Sequence, residues 1–168
     1  MDKYMFLLLY KSLVRPHLEY DSVIWAPRYK KGYHCHRECP LSATRTFKHL
    51  QDLTYSEERL VELGLPTMEY RRTRYDVIEV YKLLNSLDNT SFSLFESRDV
   101  TVTRGNSHKL FKPRANTNVR LNSFSHRVID SWNNLPSHVV EAPSLNSFEA
   151  RLNNHWVGDM KFRAQCYR

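Results

Sequence analysis

The chain has 168 residues, enough for one domain of ordinary size with its own hydrophobic core. Its apolar content of 41%, with four glycines and seven prolines, is that of a globular protein and excludes a collagen-like or low-complexity chain. Three cysteines cannot all pair and are too few for a disulfide scaffold, which favours a reducing compartment. The formal net charge is +7, and it is spread unevenly along the chain.

Residues 3–20 are predicted to form an N-terminal helix with one apolar face. Pro16 should bend or divide this helix near Val14, because proline lacks a backbone N–H group and its ring crowds the preceding turn. The buried face is expected to consist of apolar side chains at near-helical spacing: Phe6, Leu9, Leu13 and Tyr20.

The apolar run from Tyr4 to Tyr10 is too short to cross a bilayer. It also differs from the core of a signal peptide, because charged residues follow it closely and no small-residue cleavage site is visible. We therefore predict an intracellular protein, cytoplasmic or nuclear, that is not secreted and has no membrane partner.

The stretch YHCHREC (33–39) contains four side chains of the kinds that bind zinc. Structural zinc sites usually take their four ligands in two pairs separated by a loop. The next candidate ligand downstream is the isolated His49, and the third cysteine, Cys166, lies almost at the C-terminus. We therefore expect free thiols and imidazoles in this stretch and no metal, with a zinc-dependent module as the lowest-ranked alternative.

The clearest local signals predict a helical hairpin at about 54–87. A TYSE capping box (54–57) should open a short first helix, and the GLP turn (64–66) should end it. Thr67 should cap a longer second helix that runs to about Leu87. The inward face of this helix is predicted to be Tyr70, Val77, Tyr81, Leu84 and Leu87. Its outward face is predicted to carry Arg72, Asp76 and Glu79.

After Asn89 the sequence alternates as strands do, which predicts a small β element at about 99–121. Its short strands are expected at 99–103, 109–112 and 118–121. Two C-terminal helices should follow, capped by Ser123 and Ser144. They are expected to bury Phe124, Val128, Ile129 and Trp132, and Leu145, Phe148, Leu152 and Trp156, respectively. The predicted fold class is therefore α+β and mainly helical.

The window from Val100 to Ile129 contains no Asp or Glu and holds +6 of the net charge of +7. Such a concentration is typical of a phosphate-binding surface, although most charge runs are only solvated surfaces. The basic residues that we predict to bind nucleic acid here are Arg104, Lys109, Lys112, Arg114, Arg120 and Arg127. A second, weaker patch is predicted at Arg71, Arg72 and Arg74. The nearby aromatic residues His108, Phe111 and Phe124 either stack on bases or belong to the core.

Catalytic motifs are not visible in the sequence. Two-metal nucleotide transfer needs paired carboxylates, and the aspartates here are isolated. The sequence also lacks a P-loop, a dinucleotide fingerprint, a G-x-S-x-G elbow and an H-E-x-x-H helix. We therefore expect this chain not to be an enzyme, and to have no catalytic residue, no bound metal and no cofactor.

Several distinctive strings follow one another from Leu9 to Trp156. They are LYKSLVRPHLEY (9–20), VIWAP (23–27), ATR (43–45), LTYSEERLVELGLPTMEYRR (53–72), VIEVYKLLNSLD (77–88), TRGNSHKLFKPRANTNVR (103–120) and FSHRVIDSWNNLPSHVVEAPSLNSFEARLNNHW (124–156). In order and spacing they resemble the C-terminal end of reverse transcriptases from jockey-like non-LTR (LINE-type) retrotransposons. The resemblance covers nearly the whole chain.

This resemblance implies a thumb and post-thumb segment, which in such RNA-directed DNA polymerases helps to hold the template–primer duplex. The palm with its Y-x-D-D metal-binding motif lies N-terminal to these strings in the family. The resemblance therefore implies one incomplete, non-catalytic domain. Within it we expect a thumb-like helical segment (1–31), a divergent linker (32–53) and the C-terminal region of the reverse transcriptase (54–168).

One region departs from the family pattern. Relatives carry a basic amphipathic helix of the type E-x-V-Q-R-R-A-T-R, where this chain has ECPLSATR (38–45). Leu41 and Ser42 stand at two arginine positions, and Pro40 obstructs the helix. The upstream residues 32–37 also fail to match. This departure assigns the His/Cys stretch to local divergence and lowers the expected nucleic-acid affinity there.

The expected partners are RNA or an RNA–DNA duplex, and the polymerase palm and fingers of the parent enzyme. The competing hypothesis is a protein-interaction or structural helical module without a nucleic-acid role. The apolar first helix favours that alternative, because the residues from Phe6 to Leu9 would form an exposed apolar patch in the absence of a neighbouring domain.

Overall fold

The computed structural model describes residues 3–24, 60, 63–85, 94–97 and 108–163, with side chains as far as Trp156. The chain divides into two compact units, Met1–Arg72 and Thr73–Arg168, and the division falls within one helix. The described part is mainly helical, which confirms the predicted predominance of helices. It contains no helix of the length and apolar character that a membrane crossing requires.

The first unit begins with three short helical segments in a row. They are helix α1 (Lys3–Leu9), a π-helical segment (Tyr10–Val14) and helix α2 (Arg15–Glu19). The Arg15 N–H group donates to the carbonyl of Tyr10, five residues back, so the helix widens immediately before Pro16. This widening relieves the crowding that the proline ring imposes on an α-helical turn. The predicted division near Val14 is confirmed.

The core of the first unit joins α1 to the hairpin turn. Phe6 and Tyr10 are buried and stack with 5.9 Å between ring centroids. Their buried partners are Leu60, Leu63 and Leu65. The predicted apolar face is therefore wrong apart from Phe6: Leu9, Leu13 and Tyr20 are exposed by 42%, 60% and 82%. Tyr10 lies one α-helical turn after Phe6 and therefore shares its face, whereas the wide turn that begins at Tyr10 shifts the register of the residues after it.

The predicted turn between the hairpin helices is present. The Leu65 N–H group donates to the carbonyl of Leu60 at 2.8 Å, across a Gly64 with φ of +66°. This is the Schellman geometry, in which glycine takes the left-handed position after a helix end. Of the predicted first hairpin helix, only Leu60 and Leu63 belong to the described residues; the TYSE capping box lies outside them.

Helix α3 (Met68–Leu84) is the predicted second hairpin helix. Thr67 caps it as predicted, since its Oγ1 accepts from the Tyr70 N–H group at 3.2 Å. The helix ends three residues before the predicted Leu87, where the Asn85 side chain donates to the Tyr81 carbonyl.

The buried face of α3 differs from the predicted face. Val77 and Tyr81 are buried as predicted, together with Ile78 and Val80. Tyr70 is only half-buried, Leu84 is 39% exposed, and Leu87 lies outside the described residues. Asp76, predicted to face outward, is buried with 7% of its surface exposed. The buried surface thus includes a carboxylate that helical periodicity assigns to solvent.

The predicted β element is not seen in the described residues. Ser97 and Leu110 form a single antiparallel bridge, and the candidate strand at 99–103 lies outside the described residues. The candidate strand at 118–121 is wrong: these residues form the short helix α4 (Asn118–Leu121). Thr117 starts it, since its Oγ1 accepts from the Arg120 N–H group.

Three further helices complete the second unit: α5 (Phe124–Asn133), α6 (Ser137–Val140) and α7 (Leu145–Arg163). Ser144 caps α7 as predicted, accepting from the Ser147 N–H group at 3.3 Å. Ser123 occupies the cap position of α5, but its hydroxyl makes no cap bond and donates to the Arg120 carbonyl instead.

The core of the second unit confirms most of the predicted apolar faces. Trp132 and Phe148 lie at its centre, and Phe148 stacks on Tyr81 with 4.2 Å between ring centroids. The Tyr81 hydroxyl donates to the Ala142 carbonyl at 2.6 Å, which satisfies this polar group within the core. The other predicted residues that are buried are Val128, Ile129, Leu152 and Trp156. Phe124 and Leu145 are only half-buried.

Candidate nucleic-acid interface

The basic segment, which we define as residues 109–120, lies along helix α5 without forming a strand. Asn133 of α5 holds its backbone at Leu110 by two hydrogen bonds: the Leu110 N–H group donates to Asn133 Oδ1 at 2.9 Å, and Asn133 Nδ2 donates to the Leu110 carbonyl at 3.0 Å. Leu110 itself is buried. The Asn133 side chain therefore satisfies both backbone groups of Leu110, as a neighbouring strand would.

Further hydrogen bonds fix both ends of this attachment. Trp132 Nε1 donates to the His108 carbonyl at 2.8 Å, and the Phe111 N–H group donates to the Glu96 carbonyl at 2.8 Å. His126 is buried, and its Nε2 lies 2.9 Å from the Pro113 carbonyl. Because a carbonyl only accepts, this nitrogen carries the proton. The backbone of the segment is thus held in place, while most of its side chains face solvent.

The predicted phosphate-binding cations of the basic segment differ in their surroundings. Arg114 and Arg120 are exposed, and Lys109 is half-buried. Lys112 is exposed and forms an ion pair with Asp130, the first acidic residue after the window. Side-chain exposures of 37% for Lys112 and 65% for Asp130 leave this pair open to solvent.

Arg127 is not part of this exposed surface. Its guanidinium donates to both carboxylate oxygens of Asp76, at 2.9 and 2.8 Å, and to the Asn122 carbonyl at 3.3 Å. Only 4% of its side chain is exposed. A buried bidentate pair of this kind is already neutralised, so the prediction that Arg127 contacts phosphate is corrected.

The second predicted patch is largely compensated by carboxylates as well. In the first unit, Arg71 binds Glu19 through two contacts, one of them Nη2 to Oε2 at 2.8 Å. In the second unit, Arg74 donates to Glu149 at 3.0 Å and to Asn153 at 2.9 Å. Arg72 is half-buried. Arg104 lies outside the described residues.

The three aromatic candidates also differ in their packing and exposure. Phe124 packs edge-on against Phe95 with 5.9 Å between ring centroids, and the Arg127 guanidinium lies 5.8 Å from its ring. Phe111 is 47% exposed, and His108 is exposed. The structure therefore assigns Phe124 to packing and leaves Phe111 on the surface of the basic segment.

Sequence reasoning missed Asn133, Asp76 and Glu96, which shape this surface. Asn133 and Asp76 act through contacts to residues 23 and 51 positions away. No local pattern marks such contacts. One acidic partner could have been found from the sequence, because Asp130 follows directly after the acid-free window.

Within the described ranges, no group of three or more His, Cys, Asp or Glu side chains is placed to hold a metal ion. The YHCHREC stretch lies outside these ranges. Comparison of the whole chain with known proteins gave no match to a family model, to a curated protein or to a solved structure.

Proposed function

We propose that this chain binds nucleic acid through the basic segment, as the non-catalytic thumb and post-thumb region of a jockey-like retrotransposon reverse transcriptase. The ordered strings from Leu9 to Trp156 support the family assignment. The observation that carries the binding role is the pair of exposed arginines, Arg114 and Arg120, on a segment without acidic residues whose backbone is anchored to α5.

The anchored backbone of the basic segment favours phosphate binding, because a flexible chain loses conformational entropy when it binds a ligand. The hydrogen bonds at Leu110, Phe111 and Pro113 remove much of that cost before a ligand arrives. The side chains of Lys112, Arg114 and Arg120 remain exposed. A polyanion can therefore meet several positive charges on a backbone that is already ordered.

The Lys112–Asp130 pair does not prevent this role. Pairs between solvent-exposed groups contribute about 0–1 kcal/mol, so a phosphate can replace the carboxylate at little cost. The buried Arg127–Asp76 pair is different, since separating it would leave two charges without partners in the core. The predicted interface is thus reduced to the exposed cations of the basic segment and Arg104.

Contacts to phosphates carry no sequence information, so we expect binding to be independent of sequence and sensitive to salt. The test is a filter-binding titration of the full chain with an RNA–DNA duplex at several salt concentrations. Each neutralised phosphate contributes about −0.9 to the slope of log K against log salt, so the three exposed cations of the basic segment together with Arg104 predict a slope between roughly −3 and −4. Affinity that does not change with ionic strength would contradict the proposal.

The alternative, a protein-interaction module, is favoured by the exposed face of the first helix. Tyr4, Met5, Leu8 and Leu13 are exposed by 74%, 51%, 52% and 60%. These four large apolar side chains, exposed between Tyr4 and Leu13, indicate an interaction surface or a site of self-association. Light scattering separates the two candidates: concentration-dependent self-association without salt-dependent duplex binding would favour the interaction module over the nucleic-acid role.

A further inference from the structure

A cavity of about 190 Å³ adjoins the basic segment. Phe95 and Ile129 belong to the buried part of its lining, and Glu96, Phe111 and Arg120 are exposed residues that line it too. The cavity is therefore open to the same surface that carries the cations. Pockets for drug-sized ligands measure roughly 300–1,000 Å³, so this one suits a single planar group.

The lining combines the three elements that recognise a nucleotide. Phe111 offers an aromatic ring that is 47% exposed, and bases stack on such rings. Arg120 supplies a cation for a phosphate. Glu96 is the acidic residue of the lining, and a carboxylate only accepts hydrogen bonds, so this residue favours a ligand edge that donates them.

We propose that this cavity takes an unpaired guanine base from a single strand whose phosphates lie on the basic segment. Guanine is the only standard base with two adjacent N–H donors on its pairing edge, N1–H and the N2 amino group, which match two carboxylate oxygens. Adenine, cytosine and uracil each place an acceptor beside their donor, and that acceptor repels a carboxylate. The inference rests on the proposed function for the phosphate contacts, but the base pocket has its own readout.

The measurement is the NMR chemical shift of the Cδ1 methyl group of Ile129 in the full chain. A base inserted against Phe111 shifts this signal by its ring current, whereas Ile78, buried on α3 and not in the cavity lining, serves as the internal reference. We expect guanosine monophosphate to shift the methyl signal of Ile129. The monophosphates of inosine, adenosine, cytidine and uridine should shift it less at the same concentration. Equal responses to all five nucleotides, or none, would overturn the inference.

Two variants test the assigned contacts. Glu96→Gln should lower the affinity for guanosine monophosphate by roughly fivefold or more. The variant should then bind guanosine and adenosine monophosphates equally well. Phe111→Ala should lower the affinity for every nucleotide by roughly fivefold or more, whereas Phe111→Tyr should keep the native affinity. Tyr20→Ala removes an exposed aromatic ring outside both the basic segment and the cavity lining, so it is the matched control for Phe111→Ala and should change nothing. Unaltered guanine preference in Glu96→Gln would refute the role of the carboxylate.

The source of the base is tested with an oligothymidine that contains one central guanine. If the strand also lies on the basic segment, this oligonucleotide binds more tightly than guanosine monophosphate, and its affinity falls more steeply with salt because it contacts more cations. Equal affinity would assign the cavity to a free nucleotide and overturn the strand proposal. Salt-dependent duplex binding without an Ile129 shift would refute the base pocket alone, and an Ile129 shift without duplex binding would refute the proposed function alone.

Discussion

Four arginines that are all predicted from sequence to bind nucleic acid have different physical roles in the structure. Arg114 and Arg120 are exposed, whereas Arg127 is buried against Asp76 and Arg71 is bound to Glu19. Only the first two offer an uncompensated charge to an external phosphate at little energetic cost. The difference depends on depth and on carboxylates elsewhere in the chain, so a count of charges along the sequence treats all four alike.

The Arg127–Asp76 pair should be a major source of stability for the second unit. Removing one partner of a buried, hydrogen-bonded pair costs about 3–5 kcal/mol, because the other charge stays buried. We expect Arg127→Ala to lower the free energy of unfolding by that amount, measured by urea denaturation. Lys112→Ala, which removes the exposed pair with Asp130, should cost less than about 1 kcal/mol.

The double variant Asp76→Leu with Arg127→Met provides the control for charge burial. It removes both charges and fills the space with apolar atoms, so it should recover most of the stability lost in Arg127→Ala. An Arg127→Ala protein as stable as the Lys112→Ala protein would show that Arg127 is solvated and would return it to the predicted interface.

At the scale of elements, two of the three predicted helix caps that lie among the described residues are confirmed, and Ser123 is the exception. Thr67 and Ser144 cap their helices as expected, because a cap bond involves residues only three positions apart. The strand at 118–121 was wrong because four alternating residues are weak evidence, and the hydroxyl of Thr117 favours a helical turn. The N-terminal face was wrong at Leu13 and Tyr20 because the wide turn at Tyr10–Val14 changes the helical period from there on.

Gly64 tests the turn that ends the first hairpin helix. Its φ of +66° is strained for residues with a side chain, although a Cβ there would meet no atom within 4 Å. Backbone conformation alone therefore sets the cost, and Gly64→Ala should lose about 1–2 kcal/mol in thermal or urea unfolding. Gly64→Asn should lose less, since asparagine tolerates this conformation better. Equal stability of all three proteins would argue against the Schellman turn.

At the scale of the whole molecule, the uneven charge is the feature that sequence predicted most directly. Acid-free windows are visible without any structure, and the exposed positions of Arg114 and Arg120 agree with that prediction. The cavity beside them was not predictable, because Glu96 and Phe111 meet through a backbone bond between segments that carry no shared pattern. The proposed base pocket therefore depends on the fold, while the proposed phosphate contacts depend mainly on composition.

The salt dependence of duplex binding in the double variant Arg114→Ala with Arg120→Ala tests the central claim most directly. If both arginines neutralise phosphates, the slope of log K against log salt should fall in magnitude by about 1.8, and affinity should fall equally for unrelated sequences. Two substitutions elsewhere, made singly and together, provide controls for net charge: Lys82→Ala on α3, where Lys82 pairs with Glu79, and Lys11→Ala in the π-helical segment. A slope unchanged from the native chain, or a fall of the same size in these controls, would contradict the account.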